Sequence, residues 1–320
     1  GERLLEPAAA LLGELICDPV TYHGRFVPEY FESEKTNLLE AIRSLINDKR
    51  DWADSRLLRA LCDGEAYAVP RLGDEETVDK LQALKVYTQY RDLISTAPLE
   101  IIYSGSADLE RVKQALAAAF ATLPREEVRV ISTAAPHVCR ESVQHVEDVL
   151  DVTQGKLGMG FSCGSDDMPA LLMGNTLFGG SSNSKLFLNV REKLSLCYYA
   201  SSLYHRQKGL ITVSSGIEFQ NYQRAYDEIM AQLEAVQKGE LEDWELEGAR
   251  STLLNSYATV GDSQGKLENF YLGQAATGQH ETPADLARAI QDMTAERICR
   301  AMSTVKLDTV YFLKGKEAEA

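Results

Sequence analysis

The sequence has 320 residues, of which 44% are hydrophobic and 25% charged, so it is long enough for two globular domains with cores. A net charge of −15 argues against a surface that binds nucleic acid or an anionic membrane. No run approaches the roughly 20 apolar residues of a membrane helix, so we expect no membrane association. The six cysteines are scattered without a Cys-x-x-Cys pair, which is typical of a reducing compartment, and a cytoplasmic location is predicted.

The first half begins in an amphipathic helical pattern without a methionine, and we expect a fragment or a processed chain. Apolar residues at helical spacing predict helices over 3–17, 32–47, 51–63, 74–93 and 108–121. The segment 99–104 predicts a strand directly before the last of these helices. The polar segment 126–136 lacks periodicity and is predicted to be a linker, which gives domains at 1–125 and 137–320.

The second half repeats the alternation of strands and helices. Strands are predicted over 143–153, 155–162, 196–205, 209–217 and 309–313. Helices are predicted over 167–178, 184–193, 219–237, 241–258, 263–277, 283–290 and 294–303. The fold class is therefore predicted to be α+β, with mixed or antiparallel sheets and helices packed on one face.

The most distinctive stretch runs from 177 to 202 and reads LFGGSSNSKLFLNVREKLSLCYYASS. It predicts a helix end, a Gly/Ser loop, a second helix and a strand, and it places Arg191 seven residues before Tyr198. The loop lacks the Gly-Lys-Ser/Thr ending of a phosphate loop, so nucleotide binding is not expected. Asn183 and Ser184 are suitable N-cap residues for the helix that carries Arg191.

This stretch resembles the carboxy-terminal domain of the pitrilysin/insulinase (M16) peptidases, and 32–82 and 101–116 resemble parts of the amino-terminal domain. The resemblance implies two M16-type domains, the first truncated at its amino terminus. It also implies that an Arg and a Tyr bind the backbone and the carboxylate end of a peptide. The implied substrate contacts are Arg191, Tyr198, Gly179, Gly180, Ser181 and Asn183.

Arg191 and Tyr198 also have ordinary structural interpretations. An arginine near a helix end complements the negative carbonyl end, and a tyrosine at a strand start packs on the sheet. Together with the Gly/Ser loop, the pair favours peptide contact. A guanidinium forms bidentate bonds to a carboxylate, and a phenol donates one oriented hydrogen bond.

An active M16 subunit needs His-x-x-Glu-His on one helix, which places two imidazoles and a glutamate at zinc. None of the five histidines of this chain has another four residues away. The resemblance matches Glu40 to the family's downstream zinc glutamate, although Ser33 stands where an acidic residue is usual, and a solvated helix residue is the alternative. No catalytic residue, metal or other cofactor is expected in this chain; zinc would lie in a partner or upstream of Gly1.

Three hypotheses follow. The first is a non-catalytic M16-like subunit that binds peptide through Arg191 and Tyr198 and complements a zinc-bearing M16 subunit, as a heterodimer or a homodimer. The second is a truncated active zinc endopeptidase whose His-x-x-Glu-His helix lies upstream of Gly1. The third is a structural scaffold that binds no peptide.

Overall fold

A computed structural model describes residues 2–130 and 136–316. The helices are α1 (Leu5–Cys17), α2 (Pro28–Ser44), α3 (Lys49–Leu61), α4 (Glu75–Asp79), α5 (Ala83–Thr96), α6 (Leu109–Ala119), α7 (Met168–Asn175), α8 (Tyr222–Lys238), α9 (Asp243–Ala258), α10 (Gln264–Thr277), α11 (Pro283–Gln291) and α12 (Ala295–Met302). The strands are β1 (Thr21–Tyr22), β2 (Arg25–Phe26), β3 (Gln144–Leu150), β4 (Gly155–Cys163), β5 (Cys197–His205), β6 (Leu210–Ile217) and β7 (Val305–Gly315). No helix in the described ranges is both long and apolar enough to cross a membrane.

The first compact unit comprises Gly1–Ser44, Arg71–Ser132 and Glu268–Ala275 and is mainly helical. Helices α1 and α6 approach so closely that a Cβ atom on Gly13 would lie 2.2 Å from the carbonyl oxygen of Ala119. Glu6 and Arg111 form an ion pair between the same two helices, with 2.8 Å between Nε and Oε1. A glycine is therefore required on α1 by the close approach of the two backbones.

The strand predicted at 99–104 is wrong. These residues form no regular structure, and Ile101 and Ile102 are 48% and 38% exposed. A strand is stabilised by a neighbouring strand, and the described part of this unit contains only the short hairpin of β1 and β2. The single helix predicted over 74–93 is also divided into α4 and α5.

The second compact unit comprises Leu45–Pro70, Thr133–Leu267 and Ala276–Ala320 and contains a five-stranded sheet in the order β3-β7-β4-β6-β5. β3 and β7 are parallel and the other pairs are antiparallel. This mixed sheet with packed helices confirms the predicted α+β class. β5 forms one edge of the sheet.

Alternate residues of strand β4 lie on opposite faces of the sheet and pack against different helices. Leu157, Met159 and Phe161 are buried in the main core, which the strands share with α7, α8 and α12. The alternate residues Gly158 and Gly160 leave room for α3 on the opposite face, where they lie against Leu57 and Leu61. The sequence predicted helices on one face only, and α3 adds a helix on the other.

α3 belongs to this unit, although the sequence assigned it to the first domain. Arg56 on α3 forms a bidentate pair with Asp148 on β3, at 2.8 and 3.2 Å, and the Tyr311 hydroxyl donates to the same carboxylate at 2.8 Å. The domain boundary at 126–136 stays a prediction, and its residues 131–135 lie outside the described residues. All six cysteines are free thiols.

Candidate functional site

A cavity of about 370 Å³ lies beside the edge strand β5. Arg191, Gly179, Gly180 and Ser181, all predicted as site residues, line it together. The cavity is also lined by Arg50, Ser182, Phe187 and residues 199–202 of β5.

Gly179 and Gly180 end a π-helical turn, Thr176–Gly180, that follows α7 directly. A Cβ atom on Gly179 would lie 2.7 Å from the backbone nitrogen and the Oγ of Ser202 on β5. A Cβ atom on Gly180 would lie 2.8 Å from Nδ2 of Asn175. Gly179 is therefore required by the close packing of this turn on β5, Gly180 packs tightly against Asn175, and the turn brings its backbone to the wall of the cavity.

Arg191 lies in a second π-helical segment, Leu186–Lys193. Its guanidinium carbon lies 4.7 Å from the ring centroid of Phe187, a cation–π contact, and its Nε lies 3.4 Å from Oε1 of the exposed Glu192. Two carbonyl groups at the end of this helix accept backbone hydrogen bonds. The Asn189 carbonyl accepts from the Leu194 N–H, and the Val190 carbonyl accepts from the Leu196 N–H. Backbone bonds therefore cap these carbonyls, and the Arg191 side chain stays 42% exposed at the cavity.

Arg50 is a second cation in the cavity that the sequence did not predict. It lies at the start of α3, and its guanidinium carbon stacks 4.3 Å from the ring centroid of Tyr199. Its Nη2 donates to the Ser201 hydroxyl at 3.2 Å. Two guanidiniums, each placed on an aromatic ring, make this cavity suited to an anionic group.

The two adjacent tyrosines of β5 occupy different places. Tyr198 is 59% exposed, and its hydroxyl lies 3.5 Å from Oε1 of Glu218. Tyr199 lines the cavity, and burial raises the pKa of its phenol. A register shift in the pairing of β5 with β6 lies between Cys197 and Tyr199, so Tyr198 has no partner residue on β6. The structure brings Tyr199, rather than Tyr198, to the cavity wall.

The segment between Gly180 and Arg191 is held in place by a cap hydrogen bond and a buried ion pair. The Ser184 hydroxyl accepts from the Phe187 N–H at 3.4 Å, in the manner predicted for a cap, whereas Asn183 is exposed and does not line the cavity. The Lys185 ammonium donates to both carboxylate oxygens of Glu245 on α9 at 3.0 Å, and both side chains are buried. This buried pair fixes the segment to the helical layer.

Glu40, the matched zinc glutamate, is exposed on α2 beside Arg43. Residues 1–320 include no His-x-x-Glu-His that would complete a zinc site with Glu40. In the described ranges, one group of metal-ligating side chains lies within bonding reach: Cys62, Glu65 and His137, which do not include Glu40.

Comparisons with known proteins agree with the resemblance. The family model described as the peptidase M16 inactive domain matches residues 80–253. The chain is 35% identical to a probable inactive metalloprotease, YmfF, of Bacillus subtilis (strain 168), over 98% of this chain and 74% of that protein.

Solved structures show the same fold. A conserved protein from Enterococcus faecalis V583 superposes with a TM-score of 0.86 at 25% identity, over 98% of this chain and 75% of the other. A peptidase M16 inactive domain from Pseudomonas fluorescens gives a TM-score of 0.79 at 18% identity, over 97% of this chain and 75% of the other.

Proposed function

The chain belongs to the peptidase M16 family, and we propose that it is a non-catalytic subunit that holds peptide substrate in the cavity beside β5. The zinc that cleaves the peptide is assigned to a partner subunit of the same family. The observation that carries the proposal is the Arg191 guanidinium, held half-exposed on Phe187 beside a cavity wall built by the glycine turn.

The charge of the cavity supports a peptide carboxylate or backbone carbonyl as the bound group. Arg191 and Arg50 bring two permanent positive charges, and the carboxylate paired with Arg191 is the exposed Glu192, 54% accessible, at 3.4 Å. Such an exposed pair contributes little free energy, so an incoming carboxylate can replace Glu192 at little cost. A bidentate bond to Arg191 then orients the peptide end.

The position of β5 supports binding of the peptide in an extended conformation. β5 is an edge strand, so an extended chain can add to it through backbone hydrogen bonds. Residues 199–202 of this strand line the same cavity as Arg191. Backbone bonds would give affinity without selecting side chains, and the arginines would set the direction of the peptide.

The other residues predicted to contact the peptide differ in how close they lie to the cavity. Ser181 lines the cavity and offers a hydroxyl, whereas Tyr198 and the exposed Asn183 are rim contacts to the more distant part of a peptide. Tyr199 packs under Arg50 and positions it.

The proposed partner is a zinc-bearing M16 subunit; a homodimer, the other predicted assembly, would hold peptide without supplying the zinc. The 35% identity to a probable inactive metalloprotease supports the assignment of zinc to the partner. The predicted cytoplasmic location stays a prediction.

The test is a binding titration of the purified chain with a fluorescein-labelled peptide that has a free carboxyl terminus, followed by fluorescence anisotropy. We expect saturable binding, weaker binding of the amidated peptide, and a loss of about tenfold or more in affinity for Arg191→Ala, since a hydrogen bond to a charged group contributes about 1.5–3 kcal/mol.

The matched control is Arg224→Ala, which removes the same charge from an exposed position on α8. Equal affinities for Arg191→Ala, Arg224→Ala and the unchanged protein would contradict the proposal and favour the scaffold hypothesis.

A further inference from the structure

Cys62, Glu65 and His137 form a compact group of possible metal ligands that shares no residue with the peptide cavity. Their ligand atoms all lie within 4.8 Å of one another. Cys62 follows the last residue of α3, and the Glu65 N–H donates to the Cys62 carbonyl at 2.9 Å, so one tight turn presents both side chains. His137 comes from a distant segment, whose backbone N–H donates to the Lys208 carbonyl at 3.2 Å.

The imidazole of His137 is held by a buried carboxylate. Its Nε2 lies 3.2 Å from Oδ2 of Asp308, whose side chain is fully buried and also accepts hydrogen bonds from the backbone N–H of Arg140, at 2.7 Å, and from Thr309. When Nε2 carries the ring proton, Asp308 accepts it, and the Nδ1 lone pair is then available to a metal ion. A metal-ligating histidine usually has such a carboxylate on its second nitrogen.

The two carboxylate oxygens of Glu65 contact different partners. Oε1 lies 2.5 Å from Nδ1 of His137, and Oε2 forms an ion pair with the buried ammonium of Lys208. With the ring proton on Nε2, both Oε1 and Nδ1 offer lone pairs to a cation; with a proton on Nδ1, the imidazole donates to Oε1 instead.

We propose that Cys62 Sγ, Glu65 Oε1 and His137 Nδ1 bind a divalent cation of the zinc class. Thiolate, imidazole and carboxylate together select zinc or cobalt over calcium or magnesium, which prefer sites made of oxygen alone. The cation replaces the proton between Nδ1 and Oε1 and the proton of the Cys62 thiol, both protons pass to solvent, and Nδ1 and Oε1 move apart from their 2.5 Å contact to hold the ion. Lys208 stays on Oε2 and Asp308 on Nε2, so each of these two ligands keeps an outer hydrogen-bond partner.

A fourth ligand can come from solvent. His137 and Lys208 line a cavity of about 410 Å³ that also includes Cys163 and Asp166. Cys62 and His137 are themselves buried, whereas the Glu65 side chain is 27% exposed, so solvent reaches the group at Glu65. Three protein ligands with one open position fit tetrahedral coordination.

The test is a titration of the full chain, purified in the presence of a chelator and then freed of it, with cobalt(II) chloride, followed by near-ultraviolet and visible absorption. We expect a thiolate-to-cobalt charge-transfer band that saturates at one cobalt per chain and disappears when zinc chloride is added. Cys62→Ser should lose the band, and Glu65→Gln should weaken cobalt binding by a factor of about ten or more.

Cys163→Ser is the matched control, because Cys163 is a buried thiol beside the same cavity but outside the group. It should keep the band of the unchanged protein. Absence of a saturable band in the unchanged protein would overturn the proposal, whatever the variants do. A band that persists in Cys62→Ser, or that is lost only in Cys163→Ser, would also overturn it.

Discussion

The guanidinium of Arg50 stacks on the ring of Tyr199, with 4.3 Å between its central carbon and the ring centroid. This contact joins the start of α3 to the edge strand β5 and places a second positive charge in the cavity of Arg191. Helix α3 therefore both covers one face of the sheet and completes the candidate site.

Arg50→Ala is expected to weaken the binding of a peptide with a free carboxyl terminus several-fold. The change removes one of the two guanidiniums that line the cavity, and it leaves the hydrophobic contacts of α3 in place. Fluorescence anisotropy measures the effect. Arg59→Ala, an exposed arginine on the same helix, is the control and should bind as the unchanged protein does.

Lys185→Met is expected to destabilise the protein by about 3–5 kcal/mol, because it leaves the buried carboxylate of Glu245 without its cation. Urea unfolding measures the free energy. The double change with Glu245→Leu should recover part of the loss, since two apolar side chains can replace a buried pair, but it also removes the hydrogen bond that Glu245 accepts from the Glu242 N–H at 2.9 Å. A double variant no more stable than Lys185→Met would show that the pair is not the source of the loss.

Gly179→Ala is expected to destabilise the fold by about 1–3 kcal/mol, because its Cβ atom would lie 2.7 Å from a backbone nitrogen of β5. Thermal unfolding followed by circular dichroism checks this. Gly261→Ala is the control, since no atom lies within 4 Å of its added Cβ. Equal melting temperatures for the two variants would contradict the packing role of Gly179.

Asp167 caps α7 and accepts from Arg297 through both oxygens, at 2.6 and 3.0 Å, and this pairing lowers the pKa of Asp167. A carboxyl with a lowered folded-state pKa stabilises the protein above its unfolded pKa, near 3.9, and this contribution is lost as the pH falls through the folded value.

Asp167→Asn should therefore lower the free energy of unfolding by about 0.2–1 kcal/mol at pH 7, because the pair is partly exposed and asparagine retains the cap. The difference from the unchanged protein should vanish in strongly acidic solution. A difference that stays constant from pH 7 to acid would exclude the ion pair as its cause.

The sequence predicts elements well where the signal is local. The strands β4, β5 and β6 and most helices of the sheet-containing unit lie where hydrophobic periodicity places them. The segment 99–104 has the composition of a strand, but it has no strand partner in the described residues and its isoleucines stay exposed. Strand formation depends on a partner that no local pattern reveals.

The sequence predicted only part of the candidate site, because some of its residues are distant in sequence and meet only through tertiary packing. Arg191 and the glycine turn lie within one short stretch, and the structure brings them together. Arg50 was missed because it is distant in sequence and joins the cavity only through the packing of α3. Tyr199 was missed because a register shift in β5 changes which of two adjacent tyrosines faces the cavity. Cys62, Glu65 and His137 were missed because their spacing along the chain matches no metal motif.

The most direct test of the proposed function is reconstituted hydrolysis. A zinc-bearing M16 subunit from the same organism is mixed with the unchanged chain, Arg191→Ala or Arg224→Ala, and cleavage of a fluorogenic peptide is followed. We expect cleavage with the unchanged chain and with Arg224→Ala, strongly reduced cleavage with Arg191→Ala, and none by this chain alone with zinc. Robust hydrolysis by this chain alone with zinc would contradict the account.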